Sequence, residues 1–163
     1  MARRVFFSFH YKNDVNRAMV IRNSWVTQDR ESAGFYDSAE FEKVKRTGTA
    51  NVHRWINEQM ENTSVTVVLI GSQTLSRPFV QYEICHSLAR GNALIGVYVN
   101  HIKDMRTGFT SMGQSSHMII GQYDNGRPAY FDEVCDGIYD YVYDNGYDNL
   151  GNWIEAAARQ HGK

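Results

Sequence analysis

Apolar residues follow two rhythms along this chain. Three runs are continuous: "RRVFFSF" (3–9), "VTVVLI" (65–70) and "ALIGVYV" (93–99). They are β-branched or aromatic and too short for helices, so they predict strands buried on both faces. Elsewhere the spacing is three and four. Val15, Ala18, Met19, Arg22, Trp25 and Val26 make one face of a helix over 14–28, with Asn13 or Asp14 as its cap. Val52, Trp55, Ile56, Gln59 and Met60 do the same over 49–61, and Val80, Ile84 and Leu88 over 78–90, where Pro78 suits the first turn. "AGFYDS" (33–38) reads as a brief second strand, and the polar stretch 39–48 has no clear pattern.

Up to residue 100 the order is β-α-β-α-β-α-β. Such alternation predicts right-handed crossovers and a parallel sheet covered on both faces. The expected fold class is α/β, a flavodoxin-like three-layer sandwich with strand order 2-1-3-4. Beyond residue 100 the rhythm weakens. An extended loop is expected over 101–117, a hairpin over 118–131 around Asn125-Gly126, and a helix over 149–160 capped by Asn149. The chain reads as one domain over 1–163, with a core at 1–100 and a divergent extension at 101–163.

Composition narrows the function classes. Seventeen Lys and Arg stand against eighteen Asp and Glu, for a net charge of -1 and no basic stripe, which argues against nucleic-acid binding. With no 18-residue apolar run and no signal-peptide pattern, a cytoplasmic protein without membrane contact is expected. Cys85 and Cys135 form no CxxC pair and read as reduced thiols, and the six histidines lack zinc spacing, so no metal site is expected.

Glu83 is the residue that needs explaining. In open parallel sheets, ligands bind beyond the carboxyl ends of the strands, where the winding reverses. Here that point lies between strands one and three, and the 78–90 helix opens from it. On a wheel, Glu83 falls about 100° off the Val80/Ile84/Leu88 stripe, beside Phe79, His86, Ser87 and Arg90. The spacing alone also fits a solvated helix carboxylate paired with Ser87 or Arg90.

"RRVFFSFHYKND" resembles the first strand and loop of TIR domains, and "TSVTVVLIGSQTLSRPFVQYEI" resembles their third strand and the helix bearing a catalytic glutamate. Taken with "RNSWVT", these segments are similar to the TIR-like subgroup of the Thoeris antiphage system over about residues 3–100. The resemblance implies cleavage of NAD+ between nicotinamide and ribose, with Glu83 as the catalytic carboxylate. It further implies a cyclic ADP-ribose-type nucleotide that diffuses to a separate effector protein, with NAD+ as substrate and no cofactor. His86 and Arg90 would help keep Glu83 ionised. Phe9 and Tyr11 would stack on nicotinamide or base, although alternation also fits Phe9 as core. His10 matches a ligand-proximal position, Phe79 the aromatic before the glutamate. Ser72 and Thr74 would offer hydroxyls or N–H groups, and Asp37 would line the same mouth.

The chain departs from the common TIR pattern at several points, Phe79 among them, where a tryptophan is common. "FYDSAEFEKVKRTG" lacks the Arg-Asp…Pro-Gly loop that mediates assembly, which leaves homo-oligomer formation open, and the tail has no clear TIR counterpart. A noncatalytic interaction module and a nucleoside deoxyribosyltransferase are the competing readings. A phosphoacceptor is disfavoured because "LIGSQT" has no aspartate at the strand tip, and Cys85 and His86 point about 100° apart and cannot act as a nucleophile pair.

Overall fold

The continuous apolar runs occupy the middle of one sheet. The computed structural model describes residues 3–26, 32–33, 38–110 and 115–163. Its strands are β1 (Val5–Phe9), β2 (Ser32–Ala33), β3 (Val65–Ile70), β4 (Ala93–Tyr98), β5 (Ile119–Gln122), β6 (Pro128–Tyr130) and β7 (Gly137–Asp140). The main sheet is parallel, in the order β2-β1-β3-β4-β7. The expected 2-1-3-4 winding is present, extended by one strand. β5 and β6 form the separate antiparallel hairpin, with Gly126 at φ 85 in its turn, a value that favours glycine.

Among the described residues six α-helices surround the sheet: α1 (Tyr11–Val26), α2 (Ser38–Lys45), α3 (Thr49–Met60), α4 (Pro78–Ala89), α5 (Phe131–Val134) and α6 (Gly146–Gln160). Alternate strand residues send side chains to opposite faces. Val5, Phe7, Val67, Leu69, Ile95 and Val97 pack on α1 and α6 through Ile21, Trp25, Leu150 and Ile154. On the other face, Val68, Ile70 and Leu94 meet α4 and Phe131 of α5, while Phe6 meets Val52, Ile56 and Met60 of α3.

Several expectations need correction. The first helix starts at Tyr11, so "HYKND" is mostly its first turn. Asp14 is no cap, because it is buried and ion-paired with Arg17 at 3.0 Å. The buried stripe runs Asp14, Arg17, Ala18, Ile21 and Trp25, while Arg22 is exposed. The second strand is assigned at Ser32–Ala33, and most of the expected 33–38 segment, with Asp37, lies outside the described residues. The last helix begins three residues early. Asn145, in the left-handed region at φ 53, precedes it, and Asn149 instead donates to the Asp144 carbonyl.

β7 was not foreseen. Its residues serve both faces at once: Ile138 packs beside Phe131, and Tyr139 stacks on Trp153 with centroids 4.2 Å apart. Asp136 ties its start to the sheet by accepting from the Leu94 N–H at 2.9 Å.

The loop after β4 is held from below. Arg17 donates from Nε to the Ile102 carbonyl and from Nη2 to the Gly108 carbonyl, at 2.9 and 2.8 Å. Desolvation raises the Asp14 pKa, and Arg17 opposes that rise. Gly71, at the tip of β3, gives this pair room, since a Cβ there would sit 2.1 Å from Asp14 Oδ2.

Arg17→Met leaves Asp14 buried without its cation, so it should lower stability by about 3–5 kcal/mol. Urea denaturation of the single variant and of the Arg17→Met/Asp14→Leu double variant measures this, with most of the loss recovered in the double.

Candidate active site

The α4 helix opens from the β3 exit, with Pro78 at its first position. Four residues of this helix are buried, Val80, Glu83, Ile84 and Ser87, so the carboxylate belongs to the covered face. Glu83 is 6% exposed, which excludes a solvated helix carboxylate. Ser87 does not serve its side chain either. The Ser87 hydroxyl bonds the Glu83 backbone carbonyl at 2.7 Å and the Thr66 hydroxyl at 2.6 Å.

Glu83 Oε2 is buried with no hydrogen-bond partner. Across from it, Ser8 of β1 favours the ionised form slightly, but its hydroxyl makes no well-formed hydrogen bond. Desolvation dominates and pushes the carboxyl up to about 8. Among the described residues no cation contributes. The expected help from His86 and Arg90 is absent: His86 is itself lowered by burial and by Arg90, and neither acts on Glu83.

Glu83 lies on the wall of a cavity of about 1180 Å³ beyond the carboxyl end of β1, between α4 and the α2–α3 pair. Phe9, His10, Tyr11 and Phe79 line the same cavity. Phe9 is both core and wall, at 7% exposure, so the two readings of that residue coincide. His10 Nδ1 is buried and unpartnered, and the ring is lowered to about 4. Burial is the main cause there, followed by Arg77, Lys12 and Lys45, so the ring is neutral amid three cations.

Two of the expected residues sit elsewhere. Ser72 lines a smaller cleft of about 290 Å³ beside Asp14 and Asp104. Thr74 is fully buried, and its hydroxyl accepts from the Gly71 N–H at 2.8 Å, which is turn chemistry.

The chain's sequence did not reveal Phe41, His53, Arg77 and Tyr82, all on the cavity wall. Phe41 stacks on Tyr11 with centroids 5.8 Å apart, and Phe79 meets Phe41 edge-on at 6.1 Å. Arg77 precedes α4, its Nε is buried without a partner, and its Nη2 donates to Gln73. Among the described residues no group of three His, Cys, Asp or Glu is placed to hold a metal ion, and no helix is long and apolar enough to cross a membrane.

The geometry defines a flavodoxin-type α/β protein with one desolvated carboxyl facing an aromatic cavity at the sheet's switch point. The family model for "Thoeris protein ThsB, TIR-like domain" matches residues 6–104. A protein of Bacillus cereus (strain MSX-D12), named "Putative cyclic ADP-D-ribose synthase ThsB1", is 41% identical over 144 residues, 86% of this chain and 75% of that protein. The chain belongs to the ThsB family of TIR-like proteins.

Burial of Glu83 carries a measurable cost. The unfolded chain holds this carboxyl at the ordinary 4.5, whereas the folded one is at about 8. Between those values the folded protein keeps a proton that the unfolded chain has released, so stability from this group is lost as pH rises through that window. Glu83→Gln should remove that loss. The variant is expected to match wild type near pH 5 and to exceed it by a few kcal/mol at pH 8, on the order of 1.4 kcal/mol per unit. Parallel stability curves in urea across that range would show the carboxyl to be unstrained.

Proposed function

We propose that this protein cleaves NAD+ at the nicotinamide–ribose bond and closes the ADP-ribose portion into a cyclic signalling nucleotide. The observation that carries the reading is the unpaired, desolvated Glu83 carboxyl on the wall of an aromatic cavity. Breaking the bond places oxocarbenium charge on the ribose, and nicotinamide leaves neutral with the bonding electron pair. A carboxylate fixed in a dry site stabilises that charge more than it stabilises the ground state.

Among the described residues no side chain neutralises Glu83, and the substrate does so instead. The nicotinamide ring of NAD+ carries a positive charge, and an opposite charge within about 4–6 Å favours ionisation by one to three pH units. Binding thereby charges the catalytic group. Arg77, Lys12 and Lys45, converging on His10, suit the diphosphate. Rings on the wall that hold the nucleotide beside the cleaved intermediate would favour capture by the nucleotide itself over hydrolysis. The relative's name points the same way for that protein. The product would then reach a separate effector protein by diffusion.

Chromatography of NAD+ incubated with wild type and with Glu83→Gln, in lysates of phage-infected cells, tests the reading. Nicotinamide release is expected to fall by about 1,000-fold or more in the variant, and the product mass separates cyclisation from hydrolysis. NAD+ left intact by both proteins would favour a noncatalytic interaction module.

The pH profile gives an independent check. The free protein must ionise Glu83 to act, so kcat/KM should climb about tenfold per unit below pH 8 and level off above it. The kcat limb, reporting the substrate-bound state, should lie at lower pH. A flat profile between pH 6 and 9 would contradict this role.

A further inference from the structure

The cavity has a cationic end and an acid end. Arg77, Lys12 and Lys45 line it and act together on His10 at the β1 exit, yet none of them acts on Glu83. Glu42, the other acid on the wall, does not act on His10. Among the described residues none of the three cations has a carboxylate partner. Gln73 steers Arg77: its Oε1 accepts from Arg77 Nη2 and, at 3.3 Å, from Asn13 Nδ2. Arg77 Nε is left buried with no partner. Beside it α4 opens without a side-chain cap. Pro78 has no N–H, and those of Phe79 and Val80 precede the first helical bond, from the Gln81 N–H to the Arg77 carbonyl at 2.9 Å. An unpaired guanidinium N–H beside uncapped helix N–H groups supplies the donors that a phosphate needs.

We infer that Arg77 and the start of α4 bind the phosphate attached to the nicotinamide ribose, so that the unit recognised is a pyridinium nucleoside 5′-phosphate and not the riboside alone. The inference rests on reading the cavity as the site that cleaves NAD+. Phe79 and Glu83 share one face of α4 four residues apart, which puts about 6 Å of helix between the uncapped start and the acid. Helical side chains lean toward the N-terminus, which brings the carboxyl nearer still. One ribose spans that gap, with its 5′-phosphate at Arg77 and its anomeric carbon at Glu83. The charges match in the same sense. The phosphate meets the cations, and the pyridinium meets the one acid that ionises more readily beside it. Lys12 and Lys45 are exposed and screened by solvent, so the half-buried Arg77 is the stronger contact.

The alternative is that Arg77 only ties the loop after β3 to α1 through Gln73. Nicotinamide mononucleotide and nicotinamide riboside differ only in the 5′-phosphate. Calorimetric titration of wild type, Arg77→Met and Arg77→Lys with each of them separates the two roles. The phosphate role predicts that wild type prefers the nucleotide by about tenfold or more. Arg77→Met should lose most of that preference while binding the riboside as wild type does, and Arg77→Lys should keep part of it. In turnover, kcat/KM for NAD+ should fall about tenfold in Arg77→Met. The proposal is overturned if wild type binds the two ligands alike or binds neither, if Arg77→Met keeps the preference, or if that variant loses the riboside as well. Binding as expected without NAD+ cleavage would leave the subsite standing and remove the proposed chemistry. Cleavage of NAD+ with no preference for the nucleotide would do the reverse.

Discussion

One carboxyl held out of water without a counter-charge governs this structure. Glu83 lies on the buried face of α4 toward β1, and among the described residues nothing cationic reaches it. Proteins rarely keep such a group unless it is paired, since a lone buried charge costs several kcal/mol. Here the group rests largely in its neutral form, and the parallel sheet supplies the rigid frame that prevents its relief. The fully buried strands β1 and β3 fix Ser8 and the start of α4 relative to each other. A looser scaffold would let the helix rotate and the carboxyl escape to solvent.

The chain contrasts this site with a second buried acid only one turn into α1. Asp14 is as deeply covered as Glu83, yet Arg17 sits 3.0 Å away and anchors the loop after β4 with its other nitrogens. Both acids are raised by desolvation, but only Asp14 has a partner that opposes it. The paired acid reads as architecture and the unpaired one as chemistry. Burial alone would not separate them; the surrounding charges do.

The legible parts of the fold were those where pattern and burial coincide. "VTVVLI" and the Val52/Ile56/Met60 stripe lie where their periodicity places them, because every residue of the strand is fully buried on one face of the sheet or the other and the stripe meets a single core. Glu83 was singled out by its place at the switch point together with the resemblance to TIR domains, while its helix wheel placed it beside cations that do not engage it and did not foresee its burial. β7 was hidden because Ile138 and Tyr139 serve opposite faces while aspartates flank them. Asp14 was mistaken for a cap because an aspartate near a helix start usually bonds the backbone, and a buried arginine three residues on overrode that habit. The cavity's far wall was illegible for a simpler reason. His53 and Tyr82 meet across two helices 29 residues apart, and no local pattern reports such a contact.

The most direct measurement is the titration of Glu83 itself, followed by carbon NMR of side-chain carboxyls in labelled protein, with the Glu83→Gln variant to assign its signal. The account predicts a midpoint near 8 in the free protein, moving down when a cationic nicotinamide ligand such as nicotinamide mononucleotide is added. A midpoint near 4.5, unmoved by that ligand, would mean that the carboxyl is solvated or paired after all, and the central claim would fall.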